Sequence, residues 1–124
     1  MISRTWHGCV PLVHKQGFYD YELITGVVET KQTIGNIETY LEVIDQGDYA
    51  HFFLCSIWED MAAIKKFAGD TPEIAVTYPK DAEFGLISDP LVIMQEVTSA
   101  KNPFFKTYSP PYFISSSSLS IVKR

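Results

Sequence analysis

The chain has 124 residues, of which 46% are hydrophobic and 20% charged, and its formal net charge is -5. This balance predicts one globular domain that buries its own core, and it excludes a disordered chain. The negative charge and scattered basic residues argue against a nucleic-acid partner, and no apolar run reaches the roughly 20 residues that a membrane span needs.

The first half of the chain predicts a strand, a helix and a second strand. Residues 2–10 form the first strand, which ends at Pro11 because proline cannot donate to a ladder. Residues 37–45 alternate apolar and polar side chains, as is typical of a half-exposed edge strand. Between them a helix fits residues 13–28, where apolar side chains recur every three to five residues, and Gly26 marks the point where this helix begins to fail. These apolar side chains are Val13, Phe18, Tyr21, Ile24 and Val28.

Residues 48–58 form the strand on which the predicted architecture depends. Apolar side chains occupy both of its faces: Tyr49, Phe53, Cys55 and Ile57 on one, and Ala50, Phe52, Leu54 and Trp58 on the other. Helices can cover only one face of the sheet, so the other face needs a separate cover. In a chain of this size we expect that cover to be a second copy of the chain, which predicts a homodimer.

The rest of the domain predicts a helix, short turns and a last strand. Residues 59–68 carry acidic residues first and lysines later, and Gly69 ends this helix. Start signals at 70–73 predict a short helix that Tyr78-Pro79 interrupts, and a further turn is expected at 82–86. Residues 90–97 form the fourth strand. The order β-α-β-β-α-β is that of a ferredoxin-like α+β fold, an antiparallel sheet with its helices on one face.

Residues 99–124 differ in composition from the domain at residues 1–98. They contain three prolines, four consecutive serines and five aromatic residues, which predicts a C-terminal extension. Because so many aromatic side chains disfavour exposure to water, we expect residues 102–114 to pack on the domain or on the partner subunit. If the extension inserts into the partner, truncation after Ser99 weakens the dimer.

The two cysteines and the N-terminus predict a cytoplasmic protein. The first six residues lack the basic and then apolar plan of a signal peptide. Cys9 and Cys55 lie in predicted strands, where they are either a reactive or bridged pair or two small buried residues. We favour burial, because nothing in the composition indicates secretion.

Short motifs follow one another along residues 2–98 in a characteristic order. They are Arg4-x-Trp6-His7-Gly8, Tyr19 and Tyr21, Gly35-Asn36, Ser56-x-Trp58, Ile64-x-x-Phe67-Ala68-Gly69, Val76-x-Tyr78-Pro79-x-Asp81 and Glu96-Val97. Together they resemble the antibiotic-biosynthesis-monooxygenase-like family of the dimeric α+β barrel superfamily. The resemblance implies a homodimer whose two sheets close a barrel, and a pocket for a small molecule between the sheet and helices of each subunit.

Two departures from the family pattern bear on chemistry. Many relatives carry a His two positions before the last Glu-Val, where this chain has Met94, which cannot transfer protons near neutral pH. The haem-degrading branch has an Asn where this chain has Thr5, and a haem-binding His close to the position of Tyr78. The resemblance therefore implies a protein without haem, and we expect no cofactor.

His7 is the candidate catalytic residue. It shares a strand face with Thr5, which we assign to the pocket, and it would act as a base or donor toward a phenol or enol. The alternative is a core histidine satisfied by hydrogen bonds. Arg4 lies on the opposite face, toward the predicted dimer, where burial would require a carboxylate. The carboxylates available to it are Glu38, Glu42 and Glu96.

The aromatic residues Trp58, Phe67 and Tyr78, together with Thr5, are the candidate substrate-binding residues. They could shape a cavity for a flat substrate, although core packing explains the aromatics equally well. The three histidines lack the spacing of metal ligands, so we expect no metal site.

These observations favour a cofactor-independent monooxygenase-like enzyme that acts on a small aromatic or enolisable metabolite. The alternative is a non-catalytic small-molecule-binding or structural homodimer of the same fold, which Met94 favours. A pocket with His7 pointing into it would support the enzyme. A cavity filled by Phe67, Tyr78 or the C-terminal extension would support the alternative.

Overall fold

The computed structural model describes residues 1–98, so the predicted extension at 99–124, with its packing at 102–114, lies outside the described residues. The elements are β1 (Ile2–Pro11), a 3-10 turn (Leu12–His14), α1 (Lys15–Ile24), α2 (Gly26–Gln32), β2 (Asn36–Gln46), β3 (Tyr49–Trp58), α3 (Met61–Ala68), a second 3-10 turn (Asp81–Phe84), β4 (Ile87–Ser88) and β5 (Ile93–Glu96). Within the described part, no helix is long and apolar enough to cross a membrane.

The strands form one antiparallel sheet in the order β2-β3-β1, with β4 and β5 both paired to the free side of β1. The predicted fourth strand at 90–97 is therefore shortened to β5, and a two-residue strand, β4, precedes it, because the chain leaves the edge of β1 between Ser88 and Ile93. Helices pack on one face of this sheet, where Phe18 and Val27 join Trp6, Val10 and Phe52 in the main core. The ferredoxin-like α+β fold predicted from the order of elements is confirmed.

Burial along β3 alternates strictly. The residues facing the helices are buried: Ala50, Phe52, Leu54, Ser56 and Trp58. The residues on the other face are half-buried or exposed: Tyr49, His51, Phe53, Cys55 and Ile57. We call this second surface the open face. Its apolar side chains have no cover within residues 1–98, in line with the expectation that the helices cover only one side.

The predicted helix at 13–28 is broken into two. The backbone departs from helical geometry at Thr25, whose N–H bonds back to the Tyr21 carbonyl at 3.0 Å before α2 begins. The predicted apolar stripe is also partly wrong, since Val13 is 84% exposed and Ile24 is 72% exposed. Phe18 and Glu22 are the buried residues of α1, and they lie one turn apart on the face toward the sheet.

The helix α3 forms as predicted, but it begins two residues later. Asp60 is its N-cap, and the Asp60 carboxylate accepts a hydrogen bond from the Ala63 N–H at 2.9 Å. The short helix predicted to start at 70–73 does not form. The chain makes a single turn there, in which the Ile74 N–H bonds to the Thr71 carbonyl at 3.0 Å, and Ile74 then forms a bridge with Leu91. The further turn predicted at 82–86 corresponds to the 3-10 turn at Asp81–Phe84.

Candidate functional site

The register between β1 and β3 decides which side chains face the helices. Arg4 lies opposite Ser56 and Trp6 opposite Leu54, and directly opposed residues of an antiparallel pair share one face. Arg4 and Trp6 are therefore buried on the helix side, while Thr5 and His7 lie on the open face. The predicted assignment of these two faces is wrong, because alternation along a single strand does not say which face is covered.

A small cavity lies between the sheet, α1 and the segment that follows α3. Its free volume is about 20 Å³, room for little more than one water molecule. The side chains that give it chemical character are Arg4, Trp6, Glu22, Phe67, Tyr78 and Asp81. A flat organic molecule therefore fits only if one of the aromatic side chains moves aside.

Glu22 is the most unusual group of this cavity. The residue is 4% exposed, and its Oε1 atom is buried without a hydrogen-bond partner among the described residues. Burial, reinforced by the nearby Asp81 carboxylate, raises the pKa of Glu22 to about 7. The site exists because Gly26, one helical turn later, has no side chain, and a Cβ there would overlap the Glu22 carboxylate. Near neutral pH Glu22 can therefore either take up or release a proton.

Asp81 and Tyr78 form the wall of the cavity opposite Glu22. The Asp81 Oδ2 atom accepts a hydrogen bond from the Tyr78 N–H at 2.8 Å, whereas Oδ1 is buried without a partner among the described residues. Burial raises the pKa of Asp81 above its usual range. The Tyr78 hydroxyl donates to Glu29 Oε1 at 2.8 Å, and burial raises the Tyr78 pKa, so the phenol stays protonated.

Arg4 holds in place the segment at residues 70–86, which lines one side of the cavity and is called the covering segment below. Its Nε atom donates to the Pro72 carbonyl at 3.1 Å and its Nη2 atom to the Ile74 carbonyl at 2.9 Å. The guanidinium carbon lies 5.5 Å from the centroid of the Phe67 ring, and burial lowers the pKa of Arg4. The expected partners Glu38, Glu42 and Glu96 are wrong, since no carboxylate of the described residues pairs with Arg4. Arg4 faces the core, where backbone carbonyl groups and not carboxylates accept its hydrogen bonds.

Of the four predicted substrate-binding residues, Phe67 and Tyr78 line the cavity. Trp58 does not line it, since its side chain is fully buried in a second core cluster and its Nε1 atom donates to Ser56 Oγ at 2.8 Å. Thr5 lies on the open face opposite Cys55. The structure therefore brings together two of these four side chains.

Glu22 and Asp81 were not predicted as site residues, because neither lies in a motif typical of a catalytic acid or base. A signal was nevertheless present: Phe18, Glu22 and Gly26 follow one another at intervals of one helical turn. A carboxylate between a large apolar residue and a glycine on one helix face indicates a buried acid.

His7 lies away from the cavity, in a cluster on the open face. Its Nδ1 atom is 2.9 Å from Asp89 Oδ2, and its Nε2 atom is 2.8 Å from His51 Nδ1. Cys9 and Cys55 are free thiols on the same face and are half-buried, and burial raises the pKa of Cys55. Within residues 1–98 no group of three His, Cys, Asp or Glu side chains is arranged to hold a metal ion.

The fold has a solved counterpart. A protein from Deinococcus radiodurans, whose name reads "putative antibiotic biosynthesis monooxygenase", superposes with a TM-score of 0.56 over 82% of this chain and 97% of its own. The two sequences are 17% identical, so the likeness concerns the fold. It confirms the fold that the motifs in β1, α3 and β5 led us to expect.

A second similarity lies in sequence. The chain is 37% identical over 89 residues, 71% of its length, to the isomerizing glutamine–fructose-6-phosphate aminotransferase of Pyrococcus horikoshii. It spans 14% of the length of that enzyme. No family model matches the chain.

Proposed function

We propose that the protein is a cofactor-independent monooxygenase-like enzyme that binds a small aromatic or enolisable metabolite in the cavity between the sheet and the helices. The observation that carries this proposal is the buried carboxyl group of Glu22, unpaired at Oε1 and with a pKa of about 7. A base poised near the working pH in a site shielded from water is the requirement of proton abstraction from carbon or from a phenol.

Glu22 takes the role that the sequence suggested for His7. The ionised Glu22 carboxylate accepts the proton of the enolisable position, and the electron pair of the broken bond stays on the substrate as a delocalised anion. Dioxygen is then the oxidant: it takes the electron pair by bonding to the same carbon as a peroxide anion, and Glu22 returns its proton to give a hydroperoxide. Cleavage of the O–O bond, with loss of the second hydrogen of that carbon, releases one water molecule and leaves a carbonyl group on the substrate. The Arg4 guanidinium supplies the positive charge of the same cavity, whereas the Tyr78 hydroxyl already donates its proton to Glu29.

In this proposal the aromatic side chains of Phe67 and Tyr78 occupy the ligand site in the free protein and are displaced when a ligand binds. They fill the space that a flat ligand would need, and they belong to α3 and to the segment that follows it, outside the strands of the sheet. The bound ligand would then pack against the Trp6 side chain in the place of these two rings.

Turnover is tested with a panel of hydroxylated naphthalenes and anthrones under air, by following oxygen consumption and product mass. We expect Glu22→Gln to lower kcat by about 100-fold, since a positioned proton acceptor contributes about 10²–10⁴. Glu83→Gln is the matched control, because Glu83 is exposed and lies outside the cavity lining.

Two outcomes contradict this proposal. If the Glu22→Gln variant turns over substrate at the wild-type rate, Glu22 takes no part in the reaction. A wild-type protein that consumes no oxygen with any of these compounds would favour the alternative below.

The alternative function, a non-catalytic small-molecule-binding or structural homodimer, is favoured by the small size of the cavity, about 20 Å³. Met94, which packs in the core opposite Arg4, also supplies no acid or base there. Native mass spectrometry separates the two candidates. A small molecule retained without conversion supports binding, and an empty protein without turnover supports a structural role.

We also propose that the protein is a homodimer joined through the open face. Large apolar side chains lie exposed on it, including Tyr40, Ile44, Tyr49, Ile87 and Ile93. An apolar surface of this kind marks an interaction site, and a second copy offers a complementary sheet. The absence of a nucleic-acid or membrane partner and a cytoplasmic location stay predictions from composition.

The dimer is tested by sedimentation equilibrium. We expect wild type to sediment at twice the monomer mass, and Ile93→Glu to weaken self-association by at least 10-fold, since it places a charge in the apolar interface. Ile34→Glu is the control, because Ile34 is 79% exposed and lies in the loop before β2. A wild-type monomer at micromolar concentration, or equal effects of both substitutions, would contradict the proposal.

A further inference from the structure

The cavity between the sheet and α1 holds two carboxylate oxygens that no hydrogen-bond donor satisfies. Glu22 Oε1 belongs to α1 and Asp81 Oδ1 to the covering segment, and both are buried without a partner among residues 1–98. Both side chains line the same cavity, and Glu22 is only 4% exposed. A buried oxygen of this kind has lost its bonds to water, so a donor that replaces them is bound favourably. The cavity is therefore suited to a ligand with at least two donors.

No cation of the described residues compensates these two acids. The two ion pairs within residues 1–98 lie elsewhere. Arg4 lines the same cavity, but its guanidinium donates to two backbone carbonyls and forms no ion pair with Glu22 or Asp81. When both acids are ionised, the lining carries one positive and two negative charges. One further positive charge, brought by the ligand, would make the site neutral, and buried charges are stable only when they are paired in this way.

The rest of the lining favours a small cation. Trp6, Phe67 and Tyr78 contribute aromatic rings, whose faces attract positive charge. The free volume of about 20 Å³ accommodates one nitrogen atom with its hydrogens, and it is too small for a guanidinium group. A primary ammonium group has three N–H donors on one such nitrogen. A water molecule has the same size and two donors, but it leaves the negative charge uncompensated.

We propose that this cavity binds the primary ammonium group of an amine ligand between Glu22 Oε1 and Asp81 Oδ1. The ammonium N–H groups donate to the two unpartnered oxygens, and the positive charge lies among the rings of Trp6, Phe67 and Tyr78. The bond from nitrogen to carbon is the point at which the body of the ligand leaves the cavity.

The ammonium site deepens the proposed function and rests on it for the reaction, because it narrows the substrate class to aromatic or enolisable amines. Ammonium binding keeps Glu22 ionised, which is the form that accepts a proton in the proposed reaction. Oε1 holds the ammonium, and Oε2 of the same carboxylate is the atom left to accept the proton. The positive charge also favours the anion that forms on the neighbouring carbon.

Proton release accompanies binding. The ionisable groups around Glu22 are Asp81 and Tyr78 on the covering segment, Arg4 on β1, and Glu29 of α2 beside Tyr78. Burial and the Asp81 carboxylate place the pKa of Glu22 at about 7, so about half of the free protein carries a proton there at pH 7. An ammonium group displaces that proton. Binding is therefore weaker at pH 5, where Glu22 is neutral, than at pH 8, where it is ionised.

Isothermal titration calorimetry of the full chain with methylammonium chloride tests the site without any turnover. We expect binding to be at least about tenfold tighter at pH 8 than at pH 5, with release of about half a proton at pH 7, measured from the buffer dependence of the enthalpy. Potassium chloride, whose cation has no N–H donor, and tetramethylammonium chloride, whose cation is also too large, are the controls at equal ionic strength. Neither should show saturable binding.

A matched pair of aromatic ligands tests the substrate class. 4-Hydroxybenzylamine and 4-hydroxybenzyl alcohol have the same shape, but only the amine carries a positive charge. We expect the amine to bind at least about tenfold tighter at pH 8, since it forms charge-assisted hydrogen bonds. If amines bind and no compound consumes oxygen, the proposed oxidation fails and the amine site stands. If uncharged phenols are oxidised and amines do not bind, the amine site fails and the oxidation stands.

Glu22→Gln and Asp81→Asn should each weaken methylammonium binding by about tenfold or more, and Glu22→Gln should also abolish the proton release. An amide oxygen at position 81 can still accept the Tyr78 N–H, so the covering segment keeps its turn. Glu83→Gln and Asp70→Asn are the matched controls, because both residues are exposed and lie outside the cavity lining. Equal binding of potassium, the same affinity at pH 5 and pH 8, or wild-type affinity in both cavity variants would overturn the amine site. So would a wild-type protein that does not bind methylammonium, since water would then be the occupant.

Discussion

Replacing Glu22 with Gln should raise the free energy of unfolding at pH 8 by about 2–3 kcal/mol. The pKa of Glu22 is about 7 in the folded protein against 4.5 for the free group, and each unit of this difference corresponds to about 1.4 kcal/mol. At pH 8 the wild type must keep a buried carboxylate ionised beside Asp81. A neutral amide of similar shape removes that cost, although its own NH₂ group gains no new partner.

The pH dependence of this effect has a definite sign. Between pH 4.5 and 7 the folded state holds a proton on Glu22 that the unfolded state has lost, so stability falls as the pH rises. The contribution of neutral Glu22 is fully present below about pH 4.5 and is lost as the pH passes 7. Glu22→Gln should therefore match wild type near pH 4.5 and exceed it above pH 7.

Urea unfolding at pH 5 and at pH 8 measures this difference, followed by tryptophan fluorescence. The Glu83→Gln variant controls for the loss of one negative charge, because Glu83 is exposed and adjacent to the same segment. A wild-type protein whose stability does not fall between these pH values would show that Glu22 is not a raised-pKa acid. The proposed reaction would then have no group to accept the proton of the substrate.

Replacing Arg4 with Met should lower the free energy of unfolding by about 2–3 kcal/mol. The substitution removes two charge-assisted hydrogen bonds, each worth about 1.5–3 kcal/mol, and leaves the carbonyls of Pro72 and Ile74 without a donor. Removing the cost of a buried guanidinium offsets part of this loss. The unpaired carbonyls decide the outcome, because they can recover water only if the segment around them opens.

Arg4→Lys separates geometry from charge. A lysine keeps the positive charge but lacks the planar fork that reaches two carbonyls at once, so we expect it to recover less than half of the loss. Hydrogen exchange of the Ala75 and Val92 amides, which bond to Pro90 and Glu73 across the segment, should accelerate in both variants. An Arg4→Met protein within about 0.5 kcal/mol of wild type would show that Arg4 does not hold the covering segment.

These expectations also show which parts of the fold followed from local patterns. The alternation in β1, β2 and β3 and the end signals around Asp60 and Gly69 are local, so the strands and α3 were predicted within a few residues. The weak point of the first helix at Gly26 was predicted, but the second helix that begins there was not, and neither was the turn at 70–73. Both depend on contacts with distant residues, of which the bonds from Arg4 are the clearest.

By itself, the sequence determined the order of the elements, the ferredoxin-like α+β fold and a sheet with one face in need of a cover. These features depend on the periodicity of apolar residues and on turn signals, both of which are determined by residues adjacent in the sequence. Only the tertiary structure decided the site. The register of β1 on β3 placed Arg4 toward the helices and His7 on the open face, and a shift by one residue would exchange them. The pairing of His7 with His51, and the burial of Glu22 near Asp81, join residues far apart in the chain, so no local pattern could have specified them.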